Sequence, residues 1–407
     1  MEEENGNGGV EIPCYFLCPI SMQLMEDPVT VATGITYDRR NIEKWLFSGK
    51  LATCPVTKLP LVSTDDLTPN HNLRRLIQSW CTVNSYERIS TPKPAVDRSR
   101  IVDLLNEARD SSNSEMISCL HRIRSIACRN ESGRHQLQAA GAVEFLLSVV
   151  RRNDDAVSRD EALNILEEFE ISDSDLKAVF AESDSILDSL IEILQSENPQ
   201  NRALTMKLLK SIYDVADPTH LIGSKPEIFT QTVQIIFDKI SPTATKSALK
   251  LLTELCPWGR NRIKAVESNA VSALIELLLE SSDRRASELA LTVLDQLCGC
   301  AEGRAELLRH GAGLAIVSKK ILRISHAASD RAVRILASIA KYSANGRVMT
   351  EMGEVGVVAK LCLVVQIEGG GKRKERAKEI LRLHSRFWKG AAPPCVPPHL
   401  VSAYPSS

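Results

Sequence analysis

FLCPISMQLMEDPVTVATGITYDRRNIEKWL, residues 16–46, decides how the first part of this chain folds. Proline and glycine cut it into short apolar runs, which predicts loops and brief strands. Val29 and Val31 alternate with Thr30 and Ala32, as along one strand. Gly34 offers a turn into a second strand at Ile35 to Tyr37. Asp38 suits a helix N-cap, because its carboxylate can accept a backbone N–H of the next turn. Ile42, Trp45 and Leu46 then recur on one face, so a helix is expected over 39–48, ended by Gly49. A loop, LATCPVTKLPLVSTDDLTPN, covers residues 51–70. Asn70 caps a second helix whose Leu73, Leu76, Ile77, Trp80 and Cys81 form an apolar stripe. These elements make a small α+β domain over residues 11–85.

Outward from this domain the chain changes character. Residues 1–10 are rich in Glu, Asn and Gly and are expected to be disordered. Residues 86–96 carry Pro92 and Pro94 among polar side chains and read as a linker. From 97 to 390 the pattern is helical, with stripes such as Leu289, Ala290, Val293, Leu294 and Leu297. The segments AGAVEFLLSVV, SNAVSALIELL, HGAGLAIVSKK and MGEVGVVAKLC repeat one theme, anchored on Gly141, Asn269, Gly311 and Gly353. The last three anchors are spaced 311 − 269 = 42 and 353 − 311 = 42. Two degenerate units are expected near Ser183 and Lys225. Each anchor follows a polar stretch with arginine: GRHQL, GRNRI, GRAEL and GRVMT. A helical period of this size belongs to armadillo or HEAT arrays, whose units must stack because none buries its own apolar face. The glycine-containing turn between a short and a longer helix resembles armadillo repeats. GGGKRKERAK, residues 369–378, reads as a solvated inter-helix loop, with a basic docking patch as the sharper reading. The tail over 391–407 is proline-rich and expected to be disordered.

Composition narrows the class. Lys plus Arg is 50 and Asp plus Glu is 51, so no global charge draws the chain to nucleic acid or membranes. Aromatics are only 4 %, which suits aliphatic helix packing. No run of 18 apolar residues could span a bilayer, and the acidic start MEEENGNGGV is no secretory signal. The expected location is the cytoplasm, with the nucleus also open. The 11 cysteines are scattered and expected to be reduced. Two thiolates at C-x-x-C spacing can share a tetrahedral metal, but the chain contains no C-x-x-C. No metal and no cofactor are expected, and Cys18 and Cys54 read as small buried side chains.

The motifs CPI, DPV, GITYDR, IEKWL, CPVT and PNxxLRxLI, in this order over about 75 residues, closely resemble the U-box family. Joined to the repeat array, the architecture resembles the plant U-box/armadillo ubiquitin ligases. The fold implied is mainly α, with a small RING-like U-box without zinc followed by an armadillo α-solenoid. The activity implied is that of a ubiquitin transferase with no covalent enzyme intermediate. Such a ligase docks a ubiquitin-charged conjugating enzyme and orients it for attack by a substrate lysine. By this resemblance Ile20, Met22, Trp45 and Pro55 contact the conjugating enzyme, as a solvent-facing apolar cluster. Lys58 positions ubiquitin where the family more often has arginine, whose planar fork lysine lacks. Asp27, Thr36, Asp38 and Asn70 belong to a network that replaces the metal. The array is the expected receptor for a protein substrate, and kinship suggests plant stress or immune signalling. The alternative is an armadillo scaffold whose U-box serves assembly without transfer. Importin-like peptide binding is set aside, since only Trp258 and Trp388 occur in the array. Self-association stays open, and no heptad run supports it.

Overall fold

A computed structural model describes residues 12–48, 53–61, 67–84, 98–111, 113–129, 131–152, 155–181, 185–367 and 371–390. The lead, the linker, the tail, Gly49 and Ser183 lie outside them. The chain divides into two compact units, Met1–Leu147 with Asp155–Glu170, and Ser148–Asp154 with Ile171–Ser407. The division therefore falls inside the repeats, and the first unit holds the U-box together with the earliest array helices.

Among the described residues the U-box has three short antiparallel strands, β1 (Pro28–Thr30), β2 (Thr36–Asp38) and β3 (Thr68–Pro69), in the order β2-β1-β3. Val29 opposes Tyr37 on one side and Pro69 on the other. The strand β3 lies in the stretch that reads as loop in the sequence, because two residues carry no alternation to detect. Helix α1 (Arg39–Ser48) and helix α2 (His71–Val83) flank the sheet. Phe16, Met25, Val29, Tyr37, Ile42 and Ile77 fill the core. In α2, Ile77 and Cys81 point inward, whereas Leu76 is largely exposed rather than part of the buried stripe. One helical step of about 100° separates Leu76 from Ile77 and carries it round to solvent.

The array begins with α3 (Arg98–Asp110), α4 (Asn113–Ala127), α5 (Glu131–Ala139), α6 (Ala142–Arg152) and α7 (Ala156–Leu166). In the first unit α4 stacks on α3, α5 and α7, and α1 of the U-box packs against α5. The second unit continues with α8 (Asp173–Ala181), α9 (Ser185–Leu194), α10 (Pro199–Asp214), α11 (Pro218–Ile222), α12 (Pro226–Asp238), α13 (Pro242–Leu255), α14 (Gly259–Glu267) and α15 (Ala270–Glu280). It closes with α16 (Arg284–Leu297), α17 (Ala301–Arg309), α18 (Gly313–Lys320), α19 (His326–Tyr342), α20 (Gly346–Glu354), α21 (Val357–Ile367), α22 (Lys372–Leu383) and α23 (Ser385–Gly390).

Two ladders run through this unit. Helices α10, α13, α16, α19 and α22 stack in succession, and so do α9, α12, α15, α18 and α21. Each buries an aliphatic stripe, as with Leu289, Ala290, Val293, Leu294 and Leu297 of α16. Side-chain caps start the first ladder cleanly. Asn198, Ser241, Asp283 and Ser325 each accept a backbone N–H from the turn they precede. Such a cap is worth ~1 kcal/mol.

The repeat anchors need one correction. Gly141, Asn269 and Gly356 hold the left-handed turn, with φ of 83°, 62° and 75°. Gly353 instead lies within α20. Helix α19 has 17 residues against 14 in α16, and the extra 17 − 14 = 3 displace the turn from 353 to 356. Gly311 sits between α17 and α18, outside the positive-φ residues. Another correction concerns GGGKRKERAK. Its basic residues open α22 rather than a loop, because Ala377, Ile380 and Leu381 supply a buried face. Arg373 is itself buried and donates to the His326 carbonyl at 2.8 Å.

Two of the arginines before the anchors, Arg134 and Arg304, have a structural reason. Arg134, Arg262 and Arg304 stand seven residues before Gly141, Asn269 and Gly311 (141 − 134, 269 − 262 and 311 − 304). Arg134 pairs with Glu168 at 3.6 Å, and Arg304 donates to the Cys298 carbonyl and to Ser343 Oγ, both at 3.1 Å. A cation so placed meets the negative end of a neighbouring helix. Gly303 and Gly313 mark the closest approaches, since a Cβ at either would lie 2.1 Å from a carbonyl oxygen, that of Leu297 or Leu307.

Candidate functional site

CPISMQ (18–23) and CPVTKL (54–59) fold into the same turn. Cys18 N–H donates to the Gln23 carbonyl and Cys54 N–H to the Leu59 carbonyl, each at 2.8 Å. Met22 N–H returns to the Cys18 carbonyl at 2.8 Å, and Lys58 N–H to the Cys54 carbonyl at 2.9 Å. Met22 and Lys58 both occupy the left-handed region, with φ of 56° and 59°. This conformation is uncommon for such side chains, so each turn holds its tip residue in one set direction.

Hydrogen bonds converge on both buried sulfurs. Cys18 Sγ accepts from Asp38 N–H at 3.3 Å and lies 3.6 Å from Asn41 Nδ2. Cys54 Sγ accepts from the Thr33 hydroxyl at 3.3 Å and contacts the Tyr37 hydroxyl at 3.1 Å. Burial pushes the Cys54 thiol up, but hydrogen bonds from Thr33, Thr57 and Tyr37 outweigh it and bring it down to about 6. The Tyr37 phenol moves the opposite way, raised by burial first and then by Cys54.

The two turns flank α1. Asn41 Nδ2 donates to Ser21 Oγ at 3.0 Å, tying the first turn to the helix. Trp45 Nε1 donates to the Thr53 carbonyl at 2.9 Å, tying the helix to the second. Val56 N–H donates to Tyr37 Oη at 3.3 Å, anchoring that turn to the sheet. Trp45 is 39 % exposed, and Lys58 Nζ lies over its ring, 5.8 Å from the centroid. Met22 is 70 % exposed. Pro55 is half-buried, and Ile20 is partly buried against the core rather than fully solvent-facing. Val56 and Leu59 are exposed beside Lys58 and extend the apolar face. The sequence reading missed both, although the match between CPISM and CPVTK, which sets Val56 opposite Ile20, was a signal for Val56. These ties hold the exposed apolar residues in fixed positions.

The four polar residues expected in a network all make bonds. Asp38 Oδ2 accepts the N–H groups of Glu26 at 2.9 Å and Asp27 at 3.1 Å, and Oδ1 accepts Arg40 N–H at 3.2 Å. Asp27 receives Arg39 Nε at 2.7 Å. Thr36 and Thr30 hydroxyls are 2.9 Å apart, and Asn70 Nδ2 donates to Thr30 at 3.3 Å. Asn70 Oδ1 caps α2 through Leu73 N–H at 3.0 Å.

Glu43 escaped the sequence reading. It is 2 % exposed, on α1, where that helix meets α5. Burial raises its carboxyl above the usual range, opposed by Arg39 and by a backbone hydrogen bond from Ser132. A glutamate in an amphipathic helix normally faces water, and only the α5 contact reverses that.

Comparison with known proteins agrees with this geometry. Residues 12–86 match the U-box domain family, and residues 100–406 match the plant U-box protein ARM repeat region. The chain is 50 % identical to the Arabidopsis thaliana E3 ubiquitin-protein ligase PUB23, across 100 % of this chain and 98 % of that one. It is 46 % identical to E3 ubiquitin-protein ligase PUB22 of the same plant, across 98 % and 99 %. Among solved structures it resembles one from work on a phosphorylation switch between cadherin and β-catenin. The TM-score is 0.58 at 12 % identity, over 78 % of this chain and 59 % of that one, a likeness of fold alone. Fold and site define a U-box joined to armadillo repeats. The chain belongs to the plant U-box ubiquitin ligases with an ARM repeat region, transferases of the RING/U-box type.

Proposed function

We propose that the face formed by Met22, Trp45, Pro55 and Val56, with Ile20 beneath it, docks a ubiquitin-charged conjugating enzyme. Lys58 then steadies the ubiquitin, and the repeats hold a protein substrate whose lysine attacks the thioester. The observation that carries this reading is Trp45. It is an exposed indole on α1, hydrogen-bonded to the second turn and covered by Lys58. The contribution of the protein is orientation and electrostatics, with no acid–base residue of its own. Kinship with plant ligases suggests plant stress or immune signalling as the setting. The described cysteines are free thiols, in keeping with the cytoplasm or nucleus.

The test combines purified protein with ubiquitin, activating enzyme, a panel of conjugating enzymes and ATP. A ladder of ubiquitinated product is expected, and Trp45→Ala removes it. A wild-type protein silent across the panel would sink the reading. Chelator treatment of the purified ligase, removed before the Mg–ATP-dependent reaction, leaves its folding and transfer unchanged, and a loss of either overturns the metal-free site.

A further inference from the structure

The turn between α18 and α19 gathers charge without answering it. Lys319, Lys320 and Arg323 fall within five residues, and among the described residues none of the three has a carboxylate partner. Lys320 is half-buried, and its ammonium is pushed below the ordinary lysine range by desolvation first, then by Lys319 and Arg323. Like charges crowded in this way repel one another unless an anion joins them.

The backbone adds a second feature. Leu322 stands among these cations with φ of 59° and is 37 % exposed. A leucine is poorly suited to the left-handed region, so the turn must be held by its surroundings. Ser329 does this. Its buried hydroxyl accepts Leu322 N–H at 3.0 Å and donates to the Ser325 carbonyl at 2.8 Å. The apolar side chain is kept outside, with cations on both sides of it. Strained backbone held by a built network clusters at ligand contacts and switch regions.

We propose that the 319–323 turn is a docking surface for an acidic segment of a partner protein, one that sets carboxylates or phosphates on either side of an apolar side chain. It deepens the receptor role proposed above and rests on it. Lys319, Lys320 and Arg323 meet the anions, and Leu322 meets the apolar side chain. An anionic membrane is a weaker fit, since a single half-exposed leucine offers little to insert. Nucleic acid is a weaker fit too, because no aromatic residue in the turn could stack a base.

The test is fluorescence anisotropy with the full chain and a labelled peptide of alternating glutamate and leucine. Saturable binding that weakens with added salt is expected. The triple substitution Lys319→Ala, Lys320→Ala, Arg323→Ala weakens it by about tenfold or more. Leu322→Asn, which tolerates the left-handed backbone, weakens it by a few-fold. Binding by a glutamine-for-glutamate control peptide at equal strength overturns the proposal, as does full retention by the triple variant. Phosphatidylserine vesicles form a separate arm. Capture of vesicles without capture of the peptide, lost in the triple variant, replaces the proposal with a membrane site. Discharge of ubiquitin from the charged conjugating enzyme to free lysine is measured in parallel. Discharge that persists while peptide binding is absent defeats this inference and leaves the ligase reading standing.

Discussion

The U-box and the repeats cohere by different means. In the U-box, two turns, three short strands and two helices are joined by side-chain hydrogen bonds to sulfurs, hydroxyls and carboxylates. In the repeats, aliphatic stripes interlock and backbones approach until only glycine fits. A small domain has little apolar surface to bury, so directed polar bonds must supply its order. A stacked array gains apolar area with every unit and needs polar groups mainly at helix ends. The two regions should therefore fail in different ways when altered.

The largest effect is expected at Gly303. Gly303→Val drives a side chain into the Leu297 carbonyl and costs on the order of 3 kcal/mol or more, read as a lower urea midpoint by circular dichroism. A midpoint unchanged by this substitution would show that the repeats flex around the clash. Trp45→Ala comes next, and it separates contact from stability. Ubiquitin discharge falls by about a hundredfold, or ~2.7 kcal/mol, while the melting curve stays near wild type. Cys54→Ala is expected to lower U-box stability by ~2 kcal/mol, because the Thr33 and Tyr37 hydroxyls lose a buried partner.

The same thiol predicts a pH dependence. Its folded value, about 6, lies below the ordinary thiol range, so the unfolded chain binds the extra proton. Stability therefore rises with pH from about 6 up to the ordinary thiol value and falls as pH drops through 6. Denaturant titrations across that window should show the rise in wild type and lose it in Cys54→Ala. Cys298 of the array is wholly buried and its thiol is pushed up by burial, so Cys298→Ala leaves the window unchanged. Smaller still is Asn70→Ala, at ~1 kcal/mol, since it removes the cap of α2 and the bond to Thr30. The smallest effect expected is a few-fold gain in discharge from Lys58→Arg, whose planar fork can bridge two partners.

Periodicity explains which elements were legible. Helix α1 occupies the residues that Asp38 and the Ile42, Leu46 spacing predicted. The stacking of α13, α16 and α19 follows from apolar positions spaced along each helix. The strand β3 was illegible because Thr68 and Pro69 form no pattern on their own. Leu76 misled because it lies close to the buried face of α2 in sequence but one helical step outside it. The exposure of Trp45 on α1 could be read from its motif, whereas the partial burial of Ile20 could not. Whether a turn residue faces water depends on how the turn packs.

The amino-acid order alone determined the two-part architecture, the absence of paired C-x-x-C ligands and the position of the U-box motifs. Each rests on spacing, which survives in one dimension. Only the tertiary structure decided that two Cys-Pro turns share one conformation, that Lys58 lies over Trp45 and that Glu43 is buried against α5. It also decided that the cations around Leu322 stand unanswered. Those outcomes depend on which groups meet across distant stretches of chain, and desolvation and partner choice act only after that meeting.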